Sequence, residues 1–303
     1  MKFLFDTFES WKKHCQENDL SVYQPVINYE VDQKGKKEEH IWDGMQRALD
    51  VMKDAVNSGL ATDMTSHSGM VNNGAKKVWK SKQHVLNEGF TKMISRALAA
   101  KEVNSCMGRV VAAPTAGASG IMPGVLTTLQ EEHNIPDKKI LECMLVSAGI
   151  GLIIERNAGI AGAVGGCQAE TGTAAAMAAG AIVHAFDGTI DQIFNSVGIT
   201  IQCMLGLICD PVAGLVEVPC IVRNASAAAI ANSSAQIALA DMDAVIPVDE
   251  CVMAMGEVGQ SMEDRYKETA LGGLANTPTG RSIAKRVLIQ DIEMLPDEEN
   301  DKD

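Results

Sequence analysis

Three of the eight cysteines lie where predicted helices begin or end, and a side chain at such a break can point into a shared cavity. Cys167 follows two glycines in the run GGCQAETGTAAAMAAG (165–180), Cys209 precedes an Asp-Pro dipeptide, and Cys220 follows a proline. Thiolates are soft ligands that suit iron–sulfur clusters and zinc. The small residues around Cys167 would leave room for a group larger than a side chain, so the three cysteines are candidates for one metal site.

A second interpretation treats each cysteine as a small buried hydrophobe between closely packed helices, which is the commoner case for a free thiol. No pair of cysteines forms C-x-x-C, which argues against zinc-ribbon and thioredoxin-like motifs. For the three cysteines at helix breaks, the residues alone leave both interpretations open. We interpret the remaining five as structural thiols, which are Cys15, Cys106, Cys143, Cys203 and Cys251.

Two polar turns have the composition of a small-ligand site. The turn APTAGASGIMPGVL (113–126) places hydroxyls and free backbone N–H groups before a predicted helix, where they suit a carboxylate or a phosphate. The turn TSHSGMVNNGAKK (65–77) brings Ser66, His67 and Ser68 together. Each turn is also compatible with ordinary helix capping. Neither matches a phosphate-binding glycine motif, so the sequence gives no support for nucleotide binding.

The elements that must position these residues are nearly all helices. Apolar residues recur at spacings of three and four in HIWDGMQRALDVMKDAV. Thr189 and Gln192 stand at capping-box spacing. Prolines open the predicted helices PDKKILECMLVSAGIGLIIER, PCIVRNASAAAIANSSAQIALAD and PVDECVMAMGEVGQSM. The one plausible strand, SVYQPVINYEV (21–31), contains a proline and is predicted to be an extended linker, followed by a solvated loop over 31–39.

These patterns predict an all-α fold with a single helical catalytic domain over 61–290. An N-terminal helical segment (1–60) would pack on it, and 291–303 would form an acidic flexible tail. The formal net charge of −13 disfavours non-specific binding to nucleic acid or to anionic membranes. The first residues do not resemble a signal peptide, and the apolar runs are too short for a membrane helix. We therefore expect a cytoplasmic protein with reduced thiols.

Four longer motifs resemble the catalytic chain of the iron–sulfur-dependent L-serine dehydratases, and the resemblance covers nearly the whole chain. It implies a [4Fe–4S] cluster with three cysteine ligands, which map onto Cys167, Cys209 and Cys220. Their separations of 42 and 11 residues (209 − 167 and 220 − 209) are those of the family pattern. The motifs are APTAGASGIMPG, ERNAGIAGAVGGCQAETGTAAAMAA, LICDPVAGLVEVPCIVRN and ETALGGLANTPTG.

The chain departs from the single-chain members of that family in three respects. It ends in ENDKD without the terminal cysteine that can occupy the fourth iron, so we expect this iron to be open to water or substrate. It has no room for their additional regulatory and substrate-side domain. It therefore resembles the α chain of the two-chain form and is expected to require a β chain in a hetero-oligomer. Finally, SHSGMVNNG stands where many members have a Gly-Gly-Asp turn.

The resemblance implies elimination of water from L-serine, which gives pyruvate and ammonia. The open iron would act as a Lewis acid on the substrate hydroxyl while a base removes the Cα proton. His67 is our candidate base, because imidazole titrates near neutral pH and the turn around it is polar. A surface or capping role for His67 is an alternative, and so is a base supplied by the β chain.

The substrate-binding assignments centre on the carboxylate of L-serine. Arg223 is a candidate for pairing with it, and a structural ion pair with Asp210 or Glu217 is an equal alternative. Thr269 is carried over from the ETALGGLANTPTG motif only. The full set of residues assigned to substrate binding is Ser66, Ser68, Thr115, Ser119, Arg223 and Thr269.

Three functions therefore remain under comparison. The first is L-serine dehydratase. The second is an L-cysteine desulfidase-type lyase, which would reach the same aminoacrylate on the same cluster. The third is a non-catalytic iron–sulfur sensor or assembly subunit. Pyruvate release from serine and from cysteine distinguishes the first two, and cluster changes without turnover would favour the third.

Overall fold

The computed structural model describes residues 5–83 and 85–293, with side chains up to residue 290. The all-α prediction is confirmed, because within these ranges extended pairing is limited to two isolated bridges. In chain order the α-helices are α1 (Phe8–Asn18), α2 (Gln24–Lys34), α3 (Glu38–Ala61), α4 (Gly74–Trp79), α5 (Glu88–Ser105), α6 (Ile121–Glu132), α7 (Asp137–Ala158), α8 (Gly162–Cys167), α9 (Thr173–Ala185), α10 (Ile190–Met204), α11 (Cys220–Leu239), α12 (Val248–Ser261) and α13 (Pro278–Glu293).

Helix α9 is the centre of the fold, and every one of its residues is buried. It packs against α7, α10 and α11 and also contacts α6. Its alanines and glycines allow this many neighbours to approach closely. A Cβ on Gly180 would lie 2.3 Å from Ile150 Cδ1, so even one added methyl group would force a rearrangement. Because the helix is fixed from several sides, residues at its N-terminus are held firmly.

The N-terminal segment is joined to the same apolar core. Trp11 is fully buried, and its indole N–H donates to the carbonyl of Val22 at 3.0 Å. Its ring lies 5.2 Å from that of Phe194 on α10 and fills the space above Gly149 on α7. The domain boundary at residue 60 stays a prediction, although the packing of residues 5–60 onto later helices fits it.

Several helix boundaries follow the predicted signals. The capping box at Thr189 and Gln192 is present, with the Gln192 N–H donating to Thr189 Oγ1 and the Thr189 N–H to Gln192 Oε1. Pro136, Pro219 and Pro247 immediately precede α7, α11 and α12. A fixed φ and a missing N–H are tolerated at these positions, because the first N–H groups of a helix have no partner within it.

The predicted linker over 21–31 is wrong, since this stretch contains most of α2. Pro25 lies in the first turn of α2, where proline is compatible with a helix. The predicted loop over 31–39 shrinks accordingly to residues 35–37, between the end of α2 and the start of α3. Gly35 ends α2 in the left-handed conformation, with φ of 65°. Residues 291–293 continue α13, and the rest of the predicted tail lies outside the described residues.

In the described part of the chain, no single helix is long and apolar enough to cross a membrane. One pair, Asp137–Ala158 with Gly162–Ala185, meets the criteria of length and composition only when taken together, and it is bent by 69°.

Candidate metal centre

Cys167 lies where α8 meets α9 through a π-helical turn at Gln168–Gly172. The preceding Gly166 has φ of 73°, a conformation that strains residues with a Cβ. A Cβ there would also lie 2.7 Å from Met262 Sδ and 3.0 Å from the Leu207 carbonyl oxygen. The glycine therefore turns the chain and lets two other segments approach beside Cys167.

Cys209 lies in an irregular segment five residues beyond the end of α10, so its predicted place at a helix end is wrong. The segment is held by a short parallel pairing with the chain around Lys267. The Cys209 N–H donates to the Tyr266 carbonyl at 2.8 Å, and the Glu268 N–H donates to the Cys209 carbonyl at 3.1 Å. Backbone hydrogen bonds thus fix this thiol without a helix.

Cys220 is the first residue of α11, as predicted. At this position the positive end of the helix dipole favours a thiolate. Asn224, one turn later, donates to the carbonyls of Cys220 and Gly117, both at 2.8 Å, and accepts from the Gly120 N–H at 2.8 Å. Asn224 therefore fastens the 113–126 turn to the helix that carries Cys220.

The three thiols are buried, with exposed fractions of 1%, 2% and 5% for Cys167, Cys209 and Cys220, and all are free. Cys167 Sγ lies 3.3 Å from Thr171 Oγ1. Hydrogen bonding from Cys209, followed by that from Thr171 and the charge of Arg223, holds the pKa of Cys167 below that of an ordinary thiol. Burial raises the pKa of Cys220 to about 12. Metal binding would remove these thiol protons.

The chemistry of the donors fits a soft metal centre. Ligand atoms of Cys167, Glu170 and Cys209 lie within 4.8 Å of one another, and this is the one such group of metal-ligating side chains found among the described residues. The charge of Cys220 acts on Cys209 and the charge of Cys167 acts on Cys220, so the third thiol lies near the other two. Several buried thiols favour an iron–sulfur cluster or zinc over magnesium or calcium, which prefer oxygen ligands.

Glu170 is a site residue that the sequence analysis missed. Its carboxylate accepts a short hydrogen bond from Thr115 Oγ1 and is 8% exposed. A Cβ on Gly117 would lie 2.5 Å from Glu170 Oε1, so the glycine makes room for the acid. The only available signal was its position three residues after Cys167. Thr115, assigned to the substrate carboxylate, thus already has a carboxylate partner.

Arg223 forms the structural ion pair that was one of its two alternatives. Its Nη2 lies 2.8 Å from Asp210 Oδ1, and its Nη1 donates to the Ile208 carbonyl at 2.9 Å. Asp210 is 2% exposed and also accepts from the Leu274 N–H at 2.7 Å. The guanidinium therefore braces the segment that carries Cys209.

The 65–77 turn places a second buried acid near the centre. Ser66 and Ser68 are buried, and their hydroxyls donate to Glu217 Oε2 at 2.6 and 2.7 Å. Glu217 lies three residues before Cys220. His67, between the two serines, is exposed. The serines therefore anchor the turn to Glu217, which leaves the histidine at the surface.

The other two substrate assignments differ in burial. Ser119 is fully buried, and its hydroxyl has no hydrogen-bond partner among the described residues. Such an orphaned hydroxyl is consistent with a ligand-binding role. Thr269 is exposed, and its hydroxyl donates to the Asp264 carbonyl at 3.0 Å, so it acts within its own loop.

Comparison with known proteins identifies relatives of this chain. The profile of the family described as Serine dehydratase alpha chain matches residues 17–275. A protein of Peptoniphilus asaccharolyticus named L-serine dehydratase, alpha chain, is 41% identical over 90% of this chain and 95% of its own length. L-serine dehydratases of Streptomyces coelicolor and Escherichia coli are 34% and 35% identical over 91% and 87% of this chain, respectively. These two matches cover only 61% and 60% of the relatives' own lengths.

Proposed function

This chain belongs to the serine dehydratase alpha-chain family, and we propose that it deaminates L-serine to pyruvate and ammonia with a [4Fe–4S] cluster held by Cys167, Cys209 and Cys220. The chain is a lyase of the L-serine dehydratase type. The identity of the cluster, its three ligands and the site residues are the parts that we propose.

The observation that carries the proposal is the approach of the buried thiols of Cys167 and Cys209 within 4.8 Å of each other, with the buried thiol of Cys220 near enough for its charge to act on Cys209. A [4Fe–4S] cluster with three protein thiolates has one iron left for another ligand. When bound, it would supply Lewis-acid polarisation of the bond between Cβ and the departing hydroxyl. We also propose the cytoplasm as the compartment, because thiols are kept reduced there.

The protein's own residues would prepare this centre. Because Gly166 has no Cβ, the backbone at Leu207 can approach closely beside Cys167 and help to fix its position. The α11 N-terminus would favour the thiolate of Cys220. Asn224 would keep the 113–126 turn against the cysteines, with the unpartnered Ser119 hydroxyl available to the substrate carboxylate.

Removal of the Cα proton is assigned to His67, whose exposed position fits contact with a substrate or with a second chain. The anchored serines on either side would restrict where its ring can lie. The hydroxyls of Ser66 and Ser68 already donate to Glu217, so we propose that they affect the substrate only by restricting the position of His67.

A β chain is part of the proposal. The matched S. coelicolor and E. coli enzymes extend well beyond the region shared with this chain. We propose that a separate β chain supplies the corresponding remainder and that the two form a hetero-oligomer.

The proposal is tested by assaying anaerobically reconstituted protein, with and without its β chain, on L-serine and L-cysteine. We expect brown charge-transfer absorption and pyruvate release that is faster from L-serine and requires the β chain. Cys203→Ser, at an exposed thiol, serves as a matched control and should behave as the unaltered protein. Faster release from L-cysteine would identify a desulfidase, and a loaded complex without turnover on either substrate would contradict catalysis.

A further inference from the structure

Lys101, on α5, is a buried cation that contacts no anionic side chain of the described residues. The residue is 0% exposed. Its ammonium donates to Asn104 Oδ1 in a short hydrogen bond and to the Ala116 carbonyl at 3.3 Å. Both acceptors are neutral. Among the described residues, none of the ion pairs within 4.0 Å involves this ammonium.

Burying an ammonium in this way carries a free-energy cost, because its hydration is lost and only dipoles replace it. Arg96, the other deeply buried cation among the described residues, differs in this respect, since its guanidinium lies 2.5 and 3.2 Å from the carboxylates of Glu131 and Glu132. Burial lowers the pKa of Lys101 to about 8, so the cost of desolvation exceeds the attraction of its surroundings.

The ammonium contacts the carbonyl of Ala116, next to Thr115, whose hydroxyl donates to Glu170 at the candidate metal centre. The strongest charges that act on Lys101 belong to the same region. In order of strength they come from Cys220, Glu170, Glu217 and Cys167. The two carboxylates are hydrogen-bonded by hydroxyl groups, not by cations. Arg223 is paired with Asp210. Lys101 is therefore the unpaired cation of this region in the part of the chain that the structure describes.

We propose that Lys101 is the counter-charge of the loaded metal centre, positioned to offset the negative charge that arises when the three cysteines lose their protons and bind the cluster. A [4Fe–4S]²⁺ core with three thiolates carries one net negative charge, and its one-electron reduced form carries two. The inference rests on the proposed function. Lys101 acts through the cluster and touches no reacting atom, so it is a positioning residue.

The proposal predicts opposite effects in the two states of the protein. Without iron, Lys101→Met should raise the melting temperature, because an uncompensated buried charge is removed. With the cluster bound, the variant should lose iron to a chelator about tenfold faster, since an attractive charge interaction at protein dielectric is lost. A purely structural lysine would lower the melting temperature in both states.

Measuring the reduction potential of the cluster distinguishes an effect of the Lys101 charge from an effect of its hydrogen bonds. A nearby positive charge favours the more negative reduced form, so removing it should lower the potential. A tenfold shift in the one-electron equilibrium corresponds to about 59 mV. Lys101→Gln keeps a hydrogen-bond donor without the charge, and it should lower the potential as Lys101→Met does.

The matched control is Lys139→Met, which removes one positive charge from an ion pair with Asp187, just beyond the C-terminal end of α9. It should leave the potential and the rate of iron loss unchanged. The inference is overturned if Lys101→Gln behaves as the unaltered protein, or if neither Lys101 variant shifts the potential. Absence of a cluster in the unaltered holoprotein would instead overturn the proposed function.

Discussion

The two ends of helix α9 both bury groups that can titrate or bind metals, yet they differ in how those groups are arranged. At the N-terminal end, ligand atoms of Cys167, Glu170 and Cys209 converge within 4.8 Å. At the C-terminal end, His184 Nε2 lies 3.6 Å from Glu142 Oε2, with Cys143 next in sequence on α7. Residue types alone therefore do not separate a candidate metal centre from packing.

The electrostatic environment distinguishes the two ends. Burial lowers the pKa of His184 to about 4 and raises that of Cys143 to about 12, so both are neutral near pH 7. Both ends carry positive charge: Lys139 acts on His184 and Cys143 but is paired with Asp187. At the N-terminal end Arg223 is paired with Asp210, whereas Lys101 has no carboxylate in contact among the described residues. The comparison indicates that convergent donors beside an unpaired opposite charge mark the candidate centre, and that buried titratable groups by themselves are also found in the ordinary core.

The largest effect, on cluster binding, should come from replacing cysteines by serine at the two ends of α9 in turn. Cys167→Ser should abolish the charge-transfer absorption of the anaerobically loaded protein, because a hydroxyl is a poor ligand for iron in such clusters. Cys209→Ser and Cys220→Ser should do the same. Cys143→Ser, at the opposite end, should retain the cluster. Loss of the cluster in Cys143→Ser with retention in Cys209→Ser would reverse our assignment of the two ends.

The next largest effect concerns the histidine near each end. His67→Ala should lower kcat by about 10²–10⁴-fold, the usual contribution of a general base, with an unchanged cluster spectrum. Exchange of the substrate Cα proton with deuterium from the solvent should fall in parallel. His184→Gln should leave both rates nearly unchanged. A His67 variant with normal kcat and a lower melting temperature would instead indicate a capping role and a base on the β chain.

The sequence predicted features whose signals are local. The capping box at Thr189, the prolines before helices and the position of Cys220 each depend on a few neighbouring residues. The linker prediction over 21–31 failed because proline was taken as a break, although in the first turn it fits a helix. Local signals therefore located helix starts, whereas they misplaced the end of α10 before Cys209 and did not distinguish a helix from a linker.

The missed residues of the centre depend on contacts between distant parts of the chain. Glu170 meets Thr115 across 55 residues, and Glu217 meets Ser66 across 151. Lys101 lies in the run RALAAKEVN, where a single lysine is typical of an exposed helix position. Its burial follows from packing between α5, α6 and α11, which no short pattern reveals.

A smaller effect is expected when acid charges the buried histidine. The folded-state pKa of His184, about 4, lies below its ordinary value of 6.5, so between these pH values the unfolded chain binds a proton that the folded chain refuses. The stability should therefore fall as pH decreases from 6.5 to 4, by up to about 3 kcal/mol. Urea unfolding of the iron-free chain should show this loss, and His184→Gln should lack it. His40→Gln, at an exposed histidine, should retain it.

The smallest effect is a loss of stability at alkaline pH, when the buried thiol of Cys143 loses its proton. Its folded-state pKa, about 12, lies above the ordinary 9.0 because burial penalises the thiolate, so the folded chain keeps a proton that the unfolded chain releases. The stabilisation is complete below pH 9 and is lost as pH rises toward 12, at about 1.4 kcal/mol for each pH unit. Urea unfolding of the iron-free, reduced chain at pH 8 and pH 10 should show a smaller loss for Cys143→Ala than for the unaltered protein. Cys203→Ala, at an exposed thiol, should lose as much stability as the unaltered protein. Equal losses in all three proteins would mean that Cys143 is accessible to hydroxide, which would contradict its burial at the C-terminal end of α9.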